Sequence, residues 1–205
     1  GQVTVAQKLG SGEKEEAAQY ARGALRMGTF LGVLYGILSL LFHRQMIDFF
    51  KLNNTEVIQD ARIYLMIVCG LVVFSFLDQI IGGILAAMGN TVTTFRVTTM
   101  GLLINLILDP VLIFGMGPIP KMGVAGAATA TVLAQVIVFV LYLKAIWQEP
   151  VIFRNLHLLK PAKKEQIRRI VKIGFPSAIQ DSLFSAISMV IARLVAGWGD
   201  AAVAV

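Results

Sequence analysis

Five long apolar stretches, separated by short polar or glycine- and proline-rich breaks, set the pattern of this chain. They run from about Gly23 to Phe42, Ile63 to Met88, Val97 to Phe114, Met122 to Leu143 and Ile173 to Ala196. Crossing a hydrocarbon layer ~30 Å thick takes about 20 mostly apolar helical residues, so each stretch is long enough to span a bilayer. None sustains a two-residue alternation, and a lone sheet would leave its edges unsatisfied in lipid. The pattern predicts an all-α integral membrane protein, a polytopic helical bundle with about five full transmembrane helices.

The breaks predict turns. Leu9-Gly-Ser-Gly12 precedes Glu13, Glu15 and Glu16, which predicts a helix capped by Ser11 or Gly12 with negative charge in its first turn. Met88-Gly-Asn-Thr91 and Gly115-Met-Gly-Pro-Ile-Pro120 read as tight breaks. Residues 148–166 form the longest polar link, with Pro150 and Pro161 stopping helices. From Ala162 to Lys172 the sequence predicts a basic amphipathic helix on the membrane surface, leading into the fifth span.

Composition agrees with the pattern. Of 205 residues, 57% are hydrophobic and 15% charged, with a mean hydropathy of +0.76. A soluble domain is nearer ~45–50% apolar and ~25% charged, so this chain has too little polar surface to face water. Cys69, the single cysteine, lies in an apolar run, which excludes a disulfide scaffold. The chain lacks an initiator Met and stops inside the run Ala201 to Val205, so it reads as an internal piece of a longer one.

The net charge of +6 has a positional explanation. Thirteen of the 18 Lys and Arg residues fall in alternate polar segments around residues 1–26, 88–96 and 144–172. The opposite side holds Arg44, Lys51, Arg62 and Lys121, with Arg193 near the far end of the fifth span. This bias places the first group in the cytoplasm and accounts for the charge without nucleic acid, which would call for a basic patch beside aromatic stacking groups.

Three carboxylates lie within the spans: Asp78, Asp109 and Asp181. An ionised carboxylate in lipid costs at least ~2.5 kcal/mol on insertion scales, so such residues face a polar interior or are protonated. Asp109 follows Asn105 by one helical turn in Asn105-Leu-Ile-Leu-Asp109-Pro110. Pro110 has no amide proton and crowds the preceding turn, which frees the Leu106 carbonyl and predicts a kink. An amide, a freed carbonyl and a carboxylate placed together suit H⁺ exchange or Na⁺ binding; the bland reading is a solvated Asp beside a proline kink.

Ser177, Asp181, Ser185 and Ser188 align on one side of the fifth span, with Gln180 beside Asp181, and suggest a water-filled cavity or interhelical hydrogen bonding. Asp78 has Gln79 beside it, Phe74 one turn before and Gly82 one turn after, the weakest local setting of the three. In the fourth span, Gly123, Gly126, Ala127, Ala130 and Ala134 permit close helix packing. Thr129 and Thr131 lie among them; packing is the default reading of this stripe, and a Thr hydroxyl reaching the Asn105–Asp109 site is the sharper one. His43 and His157 are predicted on opposite sides of the membrane, so they share no metal. Gly10-Ser-Gly12 has no preceding strand, and no Walker sequence occurs, so neither a dinucleotide nor an ATP site is expected.

The stretches Ala6-Gln-Lys-Leu-Gly-Ser-Gly-Glu13, Asn105 to Gly115, Gly123-Val-Ala-Gly-Ala-Ala-Thr-Ala-Thr131 and Ile173-Gly-Phe-Pro176 resemble, in order and spacing, the multidrug and toxic compound extrusion (MATE) transporters. The resemblance implies part of a twelve-helix, two-lobe transporter. Residues 1–150 look like most of the first lobe, 151–172 like the cytoplasmic linker, and 173–205 like the first helix of the second lobe. In the DinF-like branch an Asn and an Asp one turn apart belong to the proton- or sodium-linked site, and here they match Asn105 and Asp109, with Thr129 or Thr131 as the hydroxyl partner. Other branches carry a functional Glu in the seventh helix, and that position falls on Phe184, which leaves open whether Asp181 substitutes.

The implied protein is no enzyme and needs no cofactor beyond its coupling ion. It is a plasma-membrane antiporter exporting small organic, often cationic, compounds in exchange for H⁺ or Na⁺ by alternating access. Its partners are those substrates, the lipid bilayer and the missing remainder of the same transporter. The alternatives are a lipid-linked saccharide flippase of similar fold, which would call for a strongly basic cavity, and a non-transporting component or inactive fragment.

Overall fold

The computed structural model describes residues 1–50, 54–116, 118–147 and 164–196. Among them the chain is helical, without strands: α1 (Gln2–Gly10), α2 (Lys14–Asp48), α3 (Thr55–Gly70), α4 (Val73–Ala87), α5 (Thr91–Phe114), α6 (Val124–Trp147) and α7 (Lys164–Ala196). Four of these, α2, α5, α6 and α7, are long and apolar enough to cross a membrane alone. The bent pair α3–α4 is long and apolar enough only when taken together, as a broken span or a re-entrant loop, so there are four to five candidate crossings and the predicted multi-pass helical bundle holds.

The second span differs from the expectation of one helix over Ile63–Met88. It starts at Thr55, where the Asn54 side chain accepts a hydrogen bond from the Glu56 amide at 2.9 Å, and breaks between Gly70 and Val73 with a 48° bend. Leu71 leaves helical geometry at φ −116°, ψ 15°. Apolar residues flank the break on both sides, so hydropathy carries no mark of it.

Close approach of α2 accompanies the bend. A Cβ on Gly32 would lie 3.1 Å from the Val73 Cα, and one on Gly36 would lie 2.9 Å from the Cys69 carbonyl oxygen. Glycine at these positions lets the α2 backbone run against the α3–α4 junction, the same physics as small-residue packing in membranes.

At the start of α2 the cap is Glu13, not Ser11 or Gly12. The Ser11 hydroxyl is turned to the Glu13 carboxylate at 2.8 Å and the Lys8 carbonyl at 3.1 Å, and Lys8 bridges Glu13 at 2.8 Å and Glu16 at 2.7 Å. The Ser11 hydroxyl is thus engaged by Glu13 and the Lys8 carbonyl rather than by an amide in the first turn of α2.

α5 and α6 form an antiparallel hairpin. The amides of Met122 and Gly123 donate to the carbonyls of Leu112 and Ile113, both at 3.1 Å. Gly126 sits on the α5 backbone, where a Cβ would lie 2.6 Å from the Leu112 carbonyl carbon. Ala128, Ala130 and Ala134 are buried along α6. The small residues of the fourth span therefore serve close packing, as their spacing suggests.

The surface helix expected before the fifth span is continuous with it. α7 runs unbroken through Lys172 and through Pro176. The linker residues 148–163, His157 among them, lie outside the described residues. At the start of α7, Ile170 packs with Val5, Ala17, Tyr20 and Ile84. Beside it, Gln166 donates to the Gln19 side-chain oxygen at 2.7 Å, and Arg169 lies 5.9 Å from the Tyr20 ring centre. Arg193, near the other end of α7, lies 4.5 Å from the Phe49 ring centre.

Candidate functional site: a polar groove between α4, α5 and α6

Three helices each turn a stripe of polar or small residues to one groove. On α5 the stripe is Thr94, Thr98, Gly101 and Asn105, steps of three and four that keep one helical face. α6 contributes Thr131, Gln135 and Tyr142, and α4 contributes Ser75 and Asp78. The upper part is a cleft of about 410 Å³ that holds Asp78, Thr98, Asn105, Thr131 and Gln135. The lower part, about 360 Å³, shares Asp78 and Thr98 and continues to Gly82, Thr94 and Tyr142.

Asn105 donates from Nδ2 toward the Asp109 Oδ1 at 3.5 Å, a long contact between half-buried groups. Asp109 itself is one turn beyond the cleft lining. α5 continues through Pro110 to Phe114. Because Pro110 has no N–H, the Leu106 carbonyl lacks its helical donor and remains an acceptor in the same turn.

Thr131 lines the cleft and Thr129 does not. Positions two apart on a helix point to nearly opposite sides, so one of the two is excluded from any one groove. The Thr131 hydroxyl donates to the Ala127 carbonyl at 3.0 Å, and that of Thr98 to the Thr94 carbonyl at 2.9 Å. A hydroxyl whose proton is used within its own helix offers lone pairs to the groove, which suits it to receive a cation or a donor.

Asp78, the weakest candidate by local sequence, lies where the two clefts join. Its Oδ1 is buried without a hydrogen-bond partner, and so is Oε1 of Gln135 on α6. Sequence reasoning passed over Gln135, Thr98 and Tyr142. The α5 steps Thr94–Thr98–Gly101–Asn105 were the readable signal, whereas Gln135 and Tyr142 meet Asp78 only through folding. Ser177, Gln180, Asp181 and Ser185 are exposed along α7 and line neither cleft, so the structure does not bring them to the Asn105–Asp109 turn.

A family model described as MatE matches residues 1–111, more than half of the chain. The chain belongs to the MatE family. The match includes Asp78, Asn105 and Asp109 and ends before Thr131 and Gln135.

Among curated relatives, the chain is 30% identical to the probable multidrug resistance protein NorM of Thermotoga maritima, covering 89% of this chain and 39% of that protein. It is 27% identical to the uncharacterized transporter YisQ of Bacillus subtilis, over 96% of this chain and 43% of that one. The chain thus spans about two fifths of the length of these MatE relatives. An inward-facing multidrug resistance MATE transporter of the MOP superfamily superposes with a TM-score of 0.87 at 21% identity, covering 98% of this chain and 45% of that one, which shows the fold. A MOP superfamily transporter from Pyrococcus furiosus gives 0.79 at 25% identity, over 99% and 44%.

Proposed function

We propose that the full-length protein is a secondary antiporter of the plasma membrane that exports drug-like, often cationic, organic compounds in exchange for H⁺ or Na⁺. The observation that carries this reading is the groove itself: a largely apolar cleft in the helical bundle that carries the acceptors of Asp78, Thr98, Thr131 and Gln135 and ends against the Asn105–Asp109 turn. The multidrug resistance proteins among the relatives support the substrate class. No Lys or Arg is among the residues lining the two clefts, the reverse of what an anionic saccharide-lipid phosphate requires.

In this mechanism Asp109 carries the coupling ion, while Asn105 and the Thr131 oxygen orient it. Neutralising Asp109 next to a helix weakened at Pro110 changes the preferred shape of α5. Ion and substrate then favour opposite states, as antiport requires. Residues 1–150 form most of the first lobe of this transporter, with a DinF-like ion site, 151–172 the linker, and 173–205 the start of the second lobe. Asp181 and its serine stripe would face a cavity that elements beyond this chain complete.

The test is dye efflux from sealed vesicles holding the full-length protein, driven by an imposed pH gradient and then by a sodium gradient. Wild type responds to one of the two, and Asp109→Asn lowers that response at least tenfold while the protein remains folded. Undiminished gradient-driven efflux by Asp109→Asn would remove the coupling role.

A further inference from the structure

The unpartnered carboxylate oxygen of Asp78 is not used by the mechanism above. Helical rise places Asp78 roughly 13 Å along α4 from its end at Ala87, and Asp109 roughly 27 Å along α5 from Thr91. α4 and α5 meet at the tight turn between Ala87 and Thr91, so, measured along each helix from that turn, Asp109 lies roughly 14 Å further than Asp78. Thr98, Gln135 and Asn105 stand at intermediate or neighbouring depths on the walls of the same groove. Below Asp78 the groove continues past Thr94 and Tyr142 toward the basic end of the bundle, where Gln2 of α1 lines its mouth.

The electrostatics of this arrangement are unbalanced. Among the described residues lining the two clefts, no cationic side chain faces Asp78, and Tyr142 is the other titratable group. α1 contributes Gln2, and α5 contributes hydroxyls and an amide. A carboxylate in a membrane bundle with no counter-ion and a buried bare oxygen calls for a cation or a proton. The Gln135 oxygen, also bare, and the lone pairs of Thr98 supply further acceptors.

We propose that the groove is a ladder for the coupling cation, in which Asp78 is the lower of two carboxylate stations and passes the ion between Asp109 and the cytoplasmic end. This deepens the antiporter reading and rests on it. For H⁺, the proton leaves Asp109 for water in the groove, the Asp78 carboxylate takes it up from that water, and it departs into the cytoplasmic water, which leaves both carboxylates ionised. For Na⁺, the same oxygens exchange the ion without bond making.

The experiment compares wild type, Asp78→Asn and Asp78→Glu of the full-length protein in sealed vesicles, using an ethidium-type dye. Dye-for-dye counterflow needs no ion release, so Asp78→Asn loses at least fivefold less of it than of gradient-driven efflux. Its gradient-driven efflux falls at least tenfold, and Asp78→Glu recovers most of it. In a background freed of other cysteines, Asp78→Cys and Thr98→Cys react with a membrane-impermeant thiosulfonate at least tenfold faster from the cytoplasmic side.

Full gradient-driven efflux in Asp78→Asn overturns the ladder and leaves the antiporter standing. Equal loss of counterflow and efflux in folded protein also overturns it, as does thiol reactivity without a side preference. Absence of gradient-driven flux in wild type overturns the antiporter and the ladder together.

Discussion

Lys8 collects two carboxylates at the entrance to α2, and the pairing has a pH signature. Hydrogen bonds from Lys8 and Ser11 hold the Glu13 carboxyl below its ordinary value, and those with Glu13 and Glu16 push Lys8 up. A lowered folded value means that the contact stabilises the turn above the usual carboxylate range and loses that contribution as pH falls through the lowered value. Protection of the Ser11 to Lys14 amides, as exchange relative to the intrinsic rate at each pH, is therefore expected to fall on acidification and to lose most of that dependence in Lys8→Met. Gly126 offers a sharper test: its Cβ position is blocked by the Leu112 backbone, so Gly126→Ala is expected to destabilise the α5–α6 hairpin by about 1–3 kcal/mol. The Asn105–Asp109 pair was legible because both residues share one helical face. The setting of Asp78 was not, because Gln135 and Thr98 come from other helices and no local spacing reports them.

Elements show the same division between local and tertiary information. Apolar length marks all the candidate crossings, because lipid demands about 20 helical residues whatever the packing. Their ends depend on caps and contacts. Asn54 extends α3 beyond the apolar run, and Asn54→Ala is expected to cost about 1 kcal/mol, read as a lower melting midpoint or faster exchange in the first turn of α3. The break after Gly70 lies where Gly32 and Gly36 of α2 approach it, a tertiary fact. The basic stretch from Lys164 to Lys172 and the fifth apolar stretch form one continuous helix, and Ile170 in it docks on the α1–α2 corner, a contact that no local pattern reports.

At the scale of the whole molecule, the docked start of α7 ties the helix after the linker to the preceding bundle. Ile170→Asp is expected to release it, and a short thiol crosslinker between cysteines at Gln19 and Gln166 would then fail to bridge them. A crosslink yield unchanged by Ile170→Asp would show that the corner is held by other contacts. The acceptor-lined groove and the Asn105–Asp109 turn give the assembly its proposed purpose: one ion and one organic cation competing through opposite conformations. Linkage then makes each weaken the affinity for the other by the same factor. The most direct measurement is the dissociation constant of a fluorescent cationic dye for the purified full-length protein across a pH series and a sodium series. The account predicts that affinity in wild type falls at least fivefold as one of the two ions is raised, and that Asp109→Asn binds dye with no such dependence. Dye binding by wild type that ignores both ions, or an ion dependence that survives intact in Asp109→Asn, would contradict it.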